Sequence, residues 1–214
     1  MGTIDCLTAE ALRADDAWWR IYQDSFPANE QEPQDVIVES VLRGAGMAFR
    51  VRRQGVTVGL ATTHLLKDPA AVFLVYLAVT RGERNRGAGG ELLRGAWEAG
   101  ETRLREQGLK PLGLVWEVDP PQAAESEEEV SQRRIAYFRR RGGQLLERPY
   151  LQPPVNGIAA VPMRLMFLPA EGEGIPAAET VEGLVRAIYF EKYGAVNGIE
   201  RPVLEGLLNR RPYS

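Results

Sequence analysis

Residues 71–93 read AVFLVYLAVTRGERNRGAGGELL, and three kinds of chain follow one another within them. Ala71 to Val79 is an unbroken apolar run, the length of one strand and apolar enough to be buried on both faces. A polar stretch rich in glycine and arginine comes next. From about Gly89 to Gln107, Leu93, Ala96, Trp97, Gly100 and Leu104 then recur at helical spacing, and Gly108 with Pro111 beyond it ends the helix. Leu112, Leu114, Trp116 and Val118 alternate with Gly113, Val115, Glu117 and Asp119, which is the pattern of another strand. Strand, loop, helix and strand make a βαβ crossover, so the sequence predicts a parallel pair at this point.

The loop Arg84-Asn85-Arg86-Gly87-Ala88-Gly89 lies where a strand ends and a helix begins. The N–H groups of a helix's first turn are unpaired and sit at the positive end of its dipole, which suits a phosphate. Gly87 and Gly89 carry no β-carbon to hold a pyrophosphate away, and Arg84 and Arg86 add charge. A flexible turn would also use such glycines. A Walker loop would end in Gly-Lys-Ser/Thr, but Gly90-Glu91 stands there. A dinucleotide fingerprint needs a third glycine where Leu92 is found.

Upstream, Ala14 to Phe26 places Trp18, Ile21, Tyr22 and Phe26 on a helix that Pro27 stops. Pro33 and Asp35 open a second helix with Val36, Val38, Val41 and Leu42 as core candidates. Met47 to Val51 and Val56 to Leu60 then form a hairpin around Gln54-Gly55. Downstream, residues 119–132 read as a polar loop with an acidic tip at Glu125, Glu127, Glu128 and Glu129. Ser131 caps a short helix that runs to Arg141, with Ile135 and Phe138 turned inward. Leu145-Leu146 and Val161 to Leu168 supply two last strands, the second with Val161, Met163, Leu165 and Phe167 on one face. Past a linker at 169–176, Val181, Leu184, Val185 and Ile188 stripe a helix that continues to Tyr193, and Val203 to Leu208 forms a shorter one. The expected units are a domain over 1–170 and a C-terminal helical extension over 171–214.

The chain has 214 residues, a net charge of −3 and a pI near 5.5, too balanced for a nucleic-acid footprint. One cysteine, Cys6, excludes an internal disulfide, and one histidine, His64, excludes a histidine-built metal cage. The opening MGTIDCLTAEALRADD has no secretory pattern and no run reaches membrane-span length, so a cytoplasmic protein without membrane or nucleic-acid partners is expected.

YLAVTRGERNRGAGGELL resembles the acetyl-CoA motif, Q/R-x-x-G-x-G/A, of the GNAT superfamily of N-acetyltransferases. WEV at 116–118 is similar to the family's fifth strand and RIAYFRRRGG at 134–143 to its fourth helix, so residues 3 to 168 are covered. The resemblance implies an α/β fold: a mixed, twisted sheet of six to seven strands with helices on both faces. It implies acetyl-CoA as co-substrate, held by Leu77, Ala78, Val79, Arg84, Asn85, Arg86, Gly87, Ala88, Gly89, Gly90, Phe138 and Arg141. A backbone N–H near Val79 would serve as oxyanion donor. The implied activity is acetyl transfer to a primary amine by direct attack.

A lysine-type amine has a pKa of about 10.4, so presenting it neutral at pH 7 costs roughly 4.6 kcal/mol, and a base is useful. Glu117 is the candidate by position, sharing a strand face with Gly113 and Val115; its other reading is an edge residue turned to water. His64 is the second candidate base, against a reading as a buried strand histidine. Many family members carry a tyrosine acid where Phe138 stands, and Tyr137, one residue earlier, can replace it only if the helix is turned by roughly 100°. Tyr76 and Tyr150 are further donors. The acidic tip would attract a cationic amine or simply be solvated, and the stripe of Tyr189, Phe190 and Tyr193 reads as core or as a homodimer face. A module that binds acyl-CoA without catalysis is the alternative function.

Overall fold

A computed structural model describes residues 2–120, 125–156 and 159–210, without the side chains of 125–130. In chain order the elements are β1 (Thr3–Leu7), α1 (Ala9–Arg13), α2 (Asp16–Ser25), α3 (Gln34–Leu42), β2 (Gly46–Arg53), β3 (Val56–Lys67) and β4 (Ala70–Val79). A 3-10 turn (Arg81–Glu83) leads into α4 (Ala88–Glu106), followed by β5 (Gly113–Val118), α5 (Glu125–Arg139), β6 (Gln144–Leu145), β7 (Tyr150–Gln152) and β8 (Val161–Pro169). The chain closes with α6 (Ala178–Ala187), a π-helix (Ile188–Gly194) and α7 (Arg201–Leu208).

The eight strands run β1-β2-β3-β4-β5-β8-β6, with β7 also on β8. Every pair is antiparallel except β4–β5, the parallel pair that the crossover predicts. That pair is short. It joins Val72–Leu74 to Leu114–Trp116 and stops, although β4 continues to Val79 and β5 to Val118. On the other side of β4 the register slips between Thr62 and Thr63, leaving Val75 as an extra residue. A bulge bends its strand and increases the local twist, and β4 parts from β5 just past this one.

One face of the sheet is covered by α4 and α5, whose Leu92, Leu93, Ala96, Ile135 and Phe138 pack on Val72, Leu74, Leu114 and Trp116. A β-carbon on Gly100 would stand 2.6 Å from a Val72 methyl, so glycine lets α4 lie close on β4. The opposite face is shared. Over its first half lie α1 to α3, with Trp18 and Tyr22 fully buried. Over its second half lies the C-terminal stretch, whose Val181, Leu184, Ile188, Tyr189, Tyr193 and Leu204 pack with Phe73, Val115, Leu165 and Phe167. Burial of each such side chain contributes about 1.5–3 kcal/mol, so the stretch completes the core.

Several expectations are corrected. The mixed sheet is as expected but has eight strands against about six to seven, because β1 forms at the N-terminal end and β7 inside the proline-rich stretch, neither of them named from the sequence. The acidic tip is helical: α5 begins at Glu125, and Ser131 is a buried residue within it, not its cap. The side chains of Glu125, Glu127, Glu128 and Glu129 lie outside the described residues. Leu42 is 61% exposed, and the buried residues of α3 are Ile37, Val38 and Ser40.

Candidate active site

The gap between β4 and β5 is lined by backbone. The Thr80 N–H bonds the Val58 carbonyl, and by antiparallel alternation Ala78 and Tyr76 also pair with β3. Leu77 and Val79 therefore turn their N–H and C=O groups away from β3, into the gap. On β5, Ala170 N bonds the Leu112 carbonyl, so Leu114, Trp116 and Val118 pair with β8 while the Glu117 backbone faces the gap from the other side.

At the mouth of the gap the loop turns through two left-handed residues, Asn85 (φ 63°) and Gly87 (φ 90°). Gly87 is the N-cap of α4 and supplies no side-chain cap, so the first-turn N–H groups are left for an outside acceptor. Arg84 reaches back to the Val79 carbonyl at 3.5 Å, and Arg86 pairs with Glu83 at 3.3 Å. Arg53, which the sequence did not single out, donates to the Arg86 carbonyl at 3.2 Å and to Glu91.

Tyr137 from α5 and Arg141 from the turn after it reach this mouth, and Phe138 does not. A β-carbon on Gly89 would stand 2.9 Å from the Tyr137 hydroxyl and 3.7 Å from a Val79 methyl. The hydroxyl is buried without a hydrogen-bond partner, and burial raises its pKa. The Arg141 guanidinium lies 3.7 Å over the Tyr137 ring and near Gly90. Phe138 is packed against Trp116 at 4.7 Å between ring centres.

Glu117 lies on the other face of β5. Tyr150 and Tyr193 donate to Oε1, the latter at 2.9 Å and shared with Oε2 at 3.0 Å, and Gln152 Nε2 donates to Oε2 at 2.8 Å. Each oxygen of the carboxylate thus accepts two contacts, the Tyr193 hydroxyl being shared between them. Burial pushes the Glu117 pKa up to about 7 against the pull of these three donors, and Glu30 adds to the rise. Glu30 belongs to the loop between α2 and α3 and is itself raised to about 7, by burial and by Asp119, while Arg134 opposes. The Tyr76 hydroxyl donates to the Glu30 carbonyl at 2.7 Å and accepts from Glu32 N–H at 3.1 Å, fixing that loop on β4.

His64 is brought to neither place. It is buried on β3 beside the charge of Lys192, and burial lowers its pKa to about 3. A cavity of about 1060 Å³ adjoins His64 between α3 and the π-helix, and none of the loop residues 84–90 lines it. Among the described residues no cluster of His, Cys, Asp or Glu could hold a metal, and no helix is long and apolar enough to cross a membrane. Gln152 and Tyr193 could not have been read as partners of Glu117, because only the fold of β7 and the π-helix brings them together.

Residues 15–126 match the acetyltransferase (GNAT) family. Curated proteins give no match. Among solved structures, a GNAT-family protein from Bacteroides thetaiotaomicron superposes with a TM-score of 0.69 at 22% identity, covering 90% of this chain and 99% of its own. The ribosomal-protein-S18-alanine N-acetyltransferase of Escherichia coli gives 0.53 at 21% identity, over 83% and 100%. Arabidopsis thaliana NAA60 in complex with acetyl-CoA gives 0.56 at 16% identity, over 80% and 100%. The strand–loop–helix around Arg84–Gly89 lies inside the matched segment, and the chain belongs to the acetyltransferase (GNAT) family.

Proposed function

We propose that the protein transfers an acetyl group from acetyl-CoA to a primary amine by direct attack. The observation that carries this reading is the parting of β4 from β5, with the uncapped start of α4 at its mouth and Glu117 across β5 from it. The residues present fit acetyl-CoA. First-turn N–H groups of α4 suit its pyrophosphate, with Arg84, Arg86 and Arg141 nearby. Its pantetheine arm is an extended chain with two amides, which match the backbone groups that Leu77, Val79 and Glu117 turn into the gap, Arg84 already reaching the Val79 carbonyl. The buried, unpartnered Tyr137 hydroxyl at Gly89 is a donor awaiting an acceptor. Acetyl-CoA in the NAA60 structure, of the same fold, supports the assignment.

The amine approaches from the Glu117 side, between the acidic walls of Glu30 and Asp119. Glu117, half ionised near pH 7, takes the ammonium proton in place of the shared Tyr193 contact, which leaves a lone pair to attack the thioester carbonyl. The oxyanion that forms is met by the Val79 N–H, which faces the gap. Collapse breaks the C–S bond and the nitrogen gives its remaining extra proton to solvent, while the Tyr137 hydroxyl supplies a proton to the departing thiolate and regains one from solvent. A thiolate with a pKa of about 8.5 leaves readily, so this last help is modest.

Calorimetry with acetyl-CoA, followed by thiol release against a panel of primary amines, tests the proposal. Saturable binding together with amine-dependent thiol release is expected. Binding without release for any amine would instead support an acyl-CoA-binding module.

A further inference from the structure

Lys192 and Tyr193 are neighbours on the π-helix, outside the segment that matches the family, and both reach into the acceptor side of the site. Tyr193, fully buried, shares its hydroxyl between the two oxygens of Glu117 at 2.9 and 3.0 Å. Lys192 is also buried. Its Nζ donates to Glu32 Oε1 at 2.6 Å and to Asn197 Oδ1 at 2.7 Å, with side-chain exposures of 3% and 2% for Lys192 and Glu32. Glu32 closes the loop that carries Glu30, and the same loop hangs from Tyr22 and Tyr76 through its backbone.

An ammonium and a carboxylate taken out of water lose several kcal/mol of hydration each, and hydrophobic side chains of similar volume would hold the stretch in place as well or better. A buried pair here makes physical sense as a device for geometry. Four residues earlier on the π-helix, Tyr189 donates to the Leu151 carbonyl at 2.6 Å and so ties the helix to β7, which carries Tyr150 and Gln152. π-Helical turns are rare and recur at functional sites. Here one brings two adjacent side chains to two different parts of one site.

We propose that the π-helix Ile188–Gly194 is a positioning element of the active site: Tyr193 orients the base Glu117, and Lys192, through Glu32, holds the acceptor loop against it. This rests on the reading of Glu117 as the base. The groups facing Glu117 are Tyr150 and Gln152 from β7, Tyr193 and Tyr189 from the π-helix, and Glu30 from the loop. Removal of the Tyr193 hydroxyl withdraws a donor from the ionised carboxylate, which makes that form harder to reach.

The test is the pH dependence of kcat/KM for an amine that the wild type accepts, in Tyr193→Phe and in the paired variant Lys192→Met with Glu32→Gln, which removes both buried charges together. Tyr193→Phe should move the acid limb up by about one pH unit, with unchanged acetyl-CoA affinity. The paired variant should raise the acceptor KM about tenfold or more and leave acetyl-CoA affinity as it was, the equivalent of about 1.4 kcal/mol. A limb that stays in place in Tyr193→Phe, or an unchanged acceptor KM in the paired variant, overturns the proposal. Glu117→Gln, measured in parallel, separates the two readings. If its acid limb survives, Glu117 is not the base; if that limb vanishes while Tyr193→Phe leaves its own unmoved, only the role of the π-helix fails.

Discussion

The Tyr137 hydroxyl lies where a side chain on Gly89 would begin, 2.9 Å from that position. Glycine at this point of the chain and tyrosine at this point of α5 are therefore one arrangement, and it answers which of two adjacent aromatics faces the loop Arg84–Gly89. Phe138 is turned by one residue's rotation into the core beneath α5, where Trp116 and Ile135 enclose it.

Exchange of the two aromatics should have unequal consequences. Tyr137→Phe should lower turnover by roughly 10- to 100-fold, the lower end of what a proton donor contributes when the leaving group is already a stable anion. Phe138→Tyr should bring no gain, because its hydroxyl would be buried without a partner, and should cost about 1–3 kcal/mol in stability. Steady-state kinetics and thermal denaturation of both variants check this. A faster Phe138→Tyr enzyme would show that α5 presents the other residue to the sulfur.

Gly87 holds a φ of 90°, and its β-carbon position is open except for Glu91 at 3.9 Å. Gly87→Val should therefore leave the packed fold intact while the loop loses a backbone shape that costs L-residues roughly 1–2 kcal/mol. Acetyl-CoA affinity should fall at least tenfold by calorimetry, with circular dichroism unchanged. Equal affinity in a folded variant would place the phosphates elsewhere.

Burial of Glu117 carries a pH signature of its own. Its folded pKa of about 7 lies above the ordinary glutamate value of 4.5, so the folded state holds the proton more tightly. That contribution to stability is fully present below about pH 4.5 and is lost as the pH rises through about 7. Relative to wild type, Glu117→Gln should gain stability from pH 4.5 to pH 8, by on the order of 2–3 kcal/mol. His64, lowered to about 3, acts in the opposite sense below pH 6.5 in both proteins and cancels in the comparison. Thermal denaturation across that range measures the difference, and a gap that does not change with pH would mean that Glu117 is ionised throughout.

The chain between Ala71 and Asp119 could be read residue by residue because its physics is local. An apolar run marks a central strand, glycines mark the start of α4, and alternation marks β5. β7 was missed because Pro153 and Pro154 follow it and its three residues pair with β8 alone. The start of α5 was missed because an acidic, alanine-containing stretch looks the same whether solvated as a loop or as a helix. For Glu117 the sequence indicated the right strand face, but its partners lie 33 to 76 residues away and meet it only after β7 and the π-helix have packed. Tyr189 and Tyr193 were legible as an apolar stripe, and nothing in a stripe tells which hydroxyl will find a carboxylate.

The most direct measurement is kcat/KM for a primary amine between pH 6 and pH 10 in wild type and Glu117→Gln. Wild type should rise from the acid side with a midpoint near the Glu117 value of about 7. The variant should be slower by about 10²- to 10⁴-fold at pH 7, and the deficit should shrink towards pH 10, where the amine loses its proton unaided. Equal deficits at pH 7 and pH 10 would contradict a base at Glu117 and leave that carboxylate a structural role only.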